Sequence, residues 1–529
     1  MIKAHWIFTL LILMSSEALA LSAELPTGKV NGLWADRDAG IRAFKGLPYA
    51  KAPIGPLRFQ PPVPLPPWSG VRDATQPSAA CRQHPAPDAF VWSRGPFEQS
   101  EDCLFLNIWS GASRGEKQPV MVWVHGGSHT TGFGHARIFD GTELVRRGVV
   151  VVTLNYRLGA LGFLAHPALA AESPYRSSGN YGLLDVIAAL EWVKVNIGAL
   201  GGDPANVTLF GQSAGSQTTC LLMTSPLAAG LLHKAIGQSA SCALPVPDKD
   251  ADGQERGAKL IQSALGRPPN APLLSAQALR EIPADQLLAA ELTSGWDTQS
   301  RTVIDGWVVP EPARNRLLRG DQAKIPLLVG SAADEGVGLL PLNEKITTAE
   351  LEQRLNKRFG SAAQELLRLY AEDLKLSPGH VERAVNADQF LTLGMREWAE
   401  LHAATGAPTY LYQMKHIPPA FRLYDPDNPA LDLPDGPRSV GVYHSGDLAY
   451  VFGNTRQIGL YWDEEDHRLS KQMADCWTQF AKTGNPDAGF TWPRFDHDQK
   501  QTLVFDKAPH VVKGVRSEKL DAIKAGMGL

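Results

Sequence analysis

Residues 207–216 read Val207-Thr-Leu-Phe-Gly-Gln-Ser213-Ala-Gly-Ser216. The first four have strand character, and Ala214 to Leu222 has the composition of a helix. Between them stands G-x-S-x-G, the pattern needed where a chain turns sharply from strand to helix and presents a serine at the bend, because only small neighbours let the backbone fold so tightly. With 49 glycines in 529 residues, the bare pattern arises by chance about 0.3 times in such a chain, so it carries little alone. The strand before it and the helix after it give it weight. Together they aim the hydroxyl of Ser213 outward and set it at the positive end of a helix.

The same alternation continues outward from this turn. Pro119 to Val124 and Val149 to Leu154 are short apolar runs of strand length, and Leu183 to Val195 groups its apolar residues by threes and fours as a helix does. Further strands are expected at Ile325 to Val329 and Thr409 to Met414, with a small antiparallel start over 25–75. Strands alternating with helices predict an α/β fold, a mostly parallel sheet covered on both faces. Residues 243–320 and 340–405 read as helical insertions of the kind that roof a site. His125-Gly-Gly-Ser128 directly follows the strand ending at Val124, and its two glycines let bare backbone N–H groups approach a developing oxyanion. The partner donor is the N–H of the residue after the nucleophile, Ala214.

Composition narrows the partners. The chain is 44% hydrophobic and 20% charged, with a net charge of −4, so there is no basic stripe for nucleic acid. The N-terminus has the form of an export signal: Lys3, an apolar run from Trp6 to Met14, then Ala18-Leu19-Ala20 as a cleavage site. Nine residues rise only about 14 Å as a helix, too short for a bilayer. No later stretch offers 18 unbroken apolar residues, so no membrane span is expected after cleavage of 1–20, and 21–529 is expected to form one domain. Export, to the periplasm or beyond, places the protein where disulfides persist. Five cysteines cannot all pair within one chain. Cys81 and Cys103 flank a Pro-rich loop whose closure would stabilise the fold by about 3 kcal/mol; Cys220 with Cys242 is a further pairing that the sequence leaves open. No C-x-x-C or H-E-x-x-H occurs, so no metal site is expected.

Several longer stretches, in order, resemble the type-B carboxylesterase and cholinesterase family of α/β-hydrolases: FKGLPYAKAP (44–53), SEDCLFLNIW (100–109), NYRLGALGFL (155–164), GNYGLLD (179–185), GGDPANVTLFGQSAGS (201–216), ADEG (333–336), YHSGDLAYVFG (443–453) and FAKTGNPD (480–487). The resemblance spans nearly the whole chain after the leader. It implies ester hydrolysis without a cofactor and orders the catalytic groups nucleophile, acid, base. Asp334 and Glu335 both follow the expected strand at 325–329, and chemistry alone does not separate them; the family pattern of Glu before Gly selects Glu335. Among 14 histidines, His416 follows the strand at 409–414 most directly, as an exposed loop residue if it is not the base, whereas the family motif selects His444.

The resemblance further implies an oxyanion hole of Gly127, Ser128 and Ala214, a Cys81–Cys103 disulfide, internal ion pairs Arg58–Glu101 and Arg157–Asp185, and supporting residues Ser239 and Asp447 near the triad. Trp92 lies where relatives line the gorge. His129 stands where the family carries an aromatic, which leaves a packing role or a changed acyl preference toward anionic groups. Trp296 fits an acyl pocket or a core position. The family's usual second disulfide is not matched by Cys220 and Cys242. The implied substrate is a small ester, hydrolysed through an acyl-enzyme, with activity falling in acid because the base must be neutral. The same fold also carries non-catalytic binding members, which usually lack the serine or another triad residue.

Overall fold

Strands buried on both faces need an unbroken apolar run, since successive side chains point to opposite sides. In Gln118–Val124, residues Val120, Val122 and Val124 enter one core cluster while Met121 and Trp123 enter another. The neighbouring strand repeats this, with Val150, Val152 and Leu154 on the first side and Val151 on the second. The computed structural model describes residues 21–84, 97–113, 115–244, 250–268, 270–296, 302–419, 441–456 and 462–529. The proposed leader and Trp92 lie outside them.

Eleven strands form the main sheet: β1 Leu33–Asp36, β2 Ile41–Pro48, β3 Phe105–Ser110, β4 Gln118–Val124, β5 Val150–Leu154, β6 Gly202–Gln212, β7 Lys234–Gln238, β8 Leu327–Ala332, β9 Thr409–Met414, β10 Gln501–Phe505 and β11 His510–Lys513. Their order is β11-β10-β9-β8-β7-β6-β4-β5-β3-β2-β1. Neighbours from β5 through β10 are parallel, and both ends of the sheet are antiparallel. Parallel neighbours require crossovers, supplied around the site by α1 Tyr181–Asn196 before β6 and α2 Ala214–Thr224 after it. α1 buries Leu183, Val186, Leu190 and Val193 in the first cluster. On the opposite side, α4 Glu464–Thr483 buries Leu469, Met473, Trp477 and Phe480 in the second, and the short α3 Leu448–Phe452 lies with it. The expected sheet with helices on both faces is present.

Two details differ from expectation. The antiparallel start is divided: Ser22–Leu25 and Gly28–Asn31 pair in a small separate sheet, while β1 and β2 extend the main one. The nucleophile strand is also longer than 207–210, because an irregularity between Gly202 and Val207 lets polar residues join its start. The insertion at 340–405 is helical and has its own core, in which Leu351, Leu355, Phe359, Leu366 and Val385 meet Leu520 and Ile523 of the C-terminal helix. No described helix is long and apolar enough to cross a membrane.

Both ion pairs form. The Arg157 guanidinium donates to both Asp185 oxygens at 2.8 and 2.7 Å, and Asp185 is wholly buried. Arg58 donates to Glu101 at 2.7 Å and also caps the carbonyls of Arg280 and Ile282. Charges as buried as Arg157 and Asp185 are tolerable only when paired this fully.

Candidate active site

Ser213 ends β6 with φ 55° and ψ −127°, a conformation that costs a non-glycine residue about 1–3 kcal/mol and persists only where neighbours enforce it. They do so by close approach. A Cβ on Gly215 would stand 2.0 Å from the Val124 carbonyl oxygen, and one on Gly211 would stand 2.5 Å from the backbone of Gly215. The Ser213 N–H donates to the Gln238 carbonyl at 2.8 Å.

The loop after β4 presses against this turn. A Cβ on Gly126 would lie 3.0 Å from that of Ser213. Gly127 has φ 107° and Ser128 has φ 55°, so the loop bends through the left-handed region just after His125. The His125 ring stacks on Tyr156 at 4.5 Å, and the Tyr156 hydroxyl donates to the His125 carbonyl. Among the described residues, the N–H groups of Gly127, Ser128 and Ala214 donate to no protein acceptor. His129 is buried, pairs through Nε2 with the Thr218 hydroxyl at 2.9 Å and packs 4.9 Å from Phe163, the packing arrangement of the two roles left open.

Glu335 follows β8 and is 1% exposed. Its Oε1 accepts the Ala332 N–H at 2.7 Å, and its Oε2 lies 2.6 Å from His444 Nδ1. A carboxylate only accepts, so Nδ1 carries the proton and Nε2 presents a lone pair. That Nε2 is buried and has no hydrogen-bond partner. It makes no hydrogen bond to the Ser213 hydroxyl, and among the described residues no other group has taken its place; bonds between nucleophile and base often tighten only when substrate is seated. His444 is moored beside the serine, because Gln212 Nε2 donates to the His444 carbonyl at 2.8 Å. Asp334, the rival carboxylate, points elsewhere: its Oδ2 accepts the Val442 N–H at 2.8 Å and steadies the loop that carries His444.

His416, the rival base, is 8% exposed and sits 2.7 Å from Asp466, whose same oxygen accepts from the Tyr450 hydroxyl. The expectation of an exposed loop residue is corrected: a carboxylate on α4, invisible in local sequence, draws the imidazole inward. Trp296 is 5% exposed and belongs to the first core cluster.

Ser239 and Asp447 lie beside the candidate triad residues. Ser239 has φ 61° and a buried hydroxyl without a partner. Asp447 Oδ2 accepts from Gln238 Nε2 and the Tyr412 hydroxyl, each at 2.9 Å. Burial pushes the Asp447 carboxyl up from 3.8 to about 6; the bonds from Gln238 and Tyr412 oppose this, and the nearby Glu335 charge adds to it. Below pH 3.8 the folded and unfolded chains both hold this proton. As pH rises through about 6 the folded chain must bury a charge that the unfolded chain solvates, so stability is lost on going up. Asp447→Asn is therefore expected to be more stable than the parent at pH 8, on the order of 2–3 kcal/mol, with the gap closing toward pH 4. Urea unfolding at both pH values checks this, and a pH-independent difference would contradict it. Gln212, Gln238 and Tyr412 were not expected at the site; their only sequence signal is polarity in buried strands, at the last residue for the two glutamines and inside the strand for Tyr412.

Cys81–Cys103 is bridged, as is Cys220–Cys242, while Cys476 is free and buried. A cleft of about 410 Å³ lined by Trp68, Ile187, Trp192 and Trp307 contains none of the candidate residues. Among the described residues no group of three or more His, Cys, Asp and Glu side chains gathers as metal ligands do.

The sequence pattern of the carboxylesterase family matches residues 20–523. The chain is 36% identical to the fumonisin B1 esterase of Sphingopyxis macrogoltabida, over 89% of this chain and 84% of that one. It is 33% identical to the para-nitrobenzyl esterase of Bacillus subtilis (strain 168), over 93% and 96%. The solved carboxylesterase EST55 of Geobacillus stearothermophilus superposes with a TM-score of 0.80 at 32% identity, covering 95% of this chain and 99% of that one. With its sheet order, its strand-to-helix serine turn and these likenesses, the chain belongs to the carboxylesterase family of the α/β-hydrolases and is a carboxylic ester hydrolase.

Proposed function

We propose that the chain is an exported serine carboxylesterase working through Ser213, His444 and Glu335. His444 Nε2 takes the proton of Ser213 as its oxygen attacks the ester carbonyl, and Glu335 keeps the imidazole in the productive tautomer. The free N–H groups of Gly127, Ser128 and Ala214 receive the oxyanion, each worth about 10²–10³ in rate. His444 then returns the proton to the departing alcohol, and water repeats the sequence on the acyl-enzyme. The observation that carries this reading is His444 itself: one ring nitrogen bound to a buried carboxylate, the other buried and unpartnered, on a residue tied by its carbonyl to the neighbour of Ser213.

Relatives of comparable identity are named for chemically unlike esters, which supports small carboxylic esters as a class rather than one compound. Two disulfides support an oxidising compartment, with 1–20 removed and 21–529 acting as one domain. The test is labelling with diethyl p-nitrophenyl phosphate. One diethylphosphoryl group per chain is expected on the peptide containing Ser213, rising in step with loss of activity. Inactivation with that peptide unlabelled would overturn the reading.

A further inference from the structure

The contacts with β4 hold the strained Ser213 from one side only. On the other side, residues 238–242 run out of β7 along α2 and are joined to it three times. The Ser213 N–H donates to the Gln238 carbonyl, the Ser216 hydroxyl donates to the Ala240 carbonyl, and Cys220 is bonded to Cys242. Positions 213, 216 and 220 are three and four apart, one stripe along a helix, and they meet 238, 240 and 242 in order as three rungs. Between the first two rungs, Ser239 has φ 61° and its N–H is bonded to Gly330 of β8.

Two of these rungs are hydrogen bonds, which water replaces at modest net cost. The third is covalent and cannot be exchanged. We propose that the Cys220–Cys242 disulfide is a positioning bond for the nucleophile, keeping the 238–242 segment in register with α2 and so holding the Ser213 turn in its strained form; this rests on the reading of Ser213 as the nucleophile. Reactivity depends on placement at the scale of an ångström, so loosening this last rung slows attack more than it weakens substrate binding.

The test is the full-length Cys220→Ala/Cys242→Ala variant, with active sites counted by phosphorylation. For p-nitrophenyl acetate, kcat per active site is expected to fall about tenfold with KM within about twofold and the far-UV spectrum unchanged. A bond that only stabilises the fold would lower the melting temperature and leave kcat per active site at the parent value, and that result overturns the proposal. Ser216→Ala removes the middle rung and keeps the disulfide. It is expected to lower kcat about threefold at unchanged KM, and more than multiplicatively when combined with loss of the disulfide. If the cysteine variant does not fold, parent kcat in Ser216→Ala overturns the proposal alone. Turnover surviving in Ser213→Ala would instead remove the reading beneath it, whereas an inactive Ser213→Ala beside a fully active cysteine variant leaves that reading standing and the positioning role refuted.

Discussion

Ser213→Ala is expected to lower kcat for p-nitrophenyl acetate by about 10⁴-fold or more while leaving the melting temperature within a few degrees. The size follows from the route. Without the hydroxyl no acyl-enzyme forms, and only substrate binding and the N–H groups of Gly127, Ser128 and Ala214 remain to assist direct attack by water. The small cost in stability follows from the site. Ser213 is partly exposed and its hydroxyl has no hydrogen-bond partner among the described residues, so its loss orphans nothing there. The backbone strain stays, since alanine adopts the same φ no more readily. Steady-state kinetics and a melting curve check both halves, and turnover within tenfold of the parent would reject the serine.

Glu335→Gln is expected to cost about 10⁴-fold in kcat, again with the fold intact. The neighbouring bonds dictate how. Oε1 accepts the Ala332 N–H and Oε2 faces His444 Nδ1. A glutamine satisfies the Ala332 N–H with its carbonyl, which turns its NH₂ toward Nδ1. The imidazole must then accept there and carry its proton on Nε2, the nitrogen that has to take the proton from Ser213. The base is lost through the wrong tautomer, and the charge that would stabilise an imidazolium goes with it. Asp334→Asn keeps an oxygen for the Val442 N–H and is expected to cost less than about tenfold. Parallel kinetics of the two variants decide between the carboxylates, and equal losses would contradict the assignment.

The fold was legible because strands covered on both sides are spelled as unbroken apolar runs: Val120 to Val124 and Val150 to Leu154 need no partner to be recognised. The serine turn was legible because its glycines answer a local demand, the close approach of Gly215 to Val124. The acid and base were not readable from chemistry alone. Asp334 and Glu335 are adjacent and alike, and what separates them is a histidine 109 positions away; His416 was the nearer base, and Asp466 withdraws it. Motif resemblance named the carboxylate and the imidazole that the structure brings together, because it carries tertiary information that spacing does not. The same limit hid the Cys220–Cys242 bond, which depends on β7 and α2 emerging side by side, and the Gln238–Asp447–Tyr412 network, whose members lie on different elements.

A crystal structure of the enzyme phosphorylated by diethyl p-nitrophenyl phosphate tests the central claim most directly, since the adduct has the tetrahedral shape of the intermediate. The account predicts phosphorus bonded to the oxygen of Ser213, one phosphoryl oxygen about 2.7–3.1 Å from the amide nitrogens of Gly127, Ser128 and Ala214, and His444 Nε2 within hydrogen-bonding reach of an ester oxygen while Nδ1 stays on Glu335. Phosphorus on another side chain, or its phosphoryl oxygen turned away from those three amides, would contradict it.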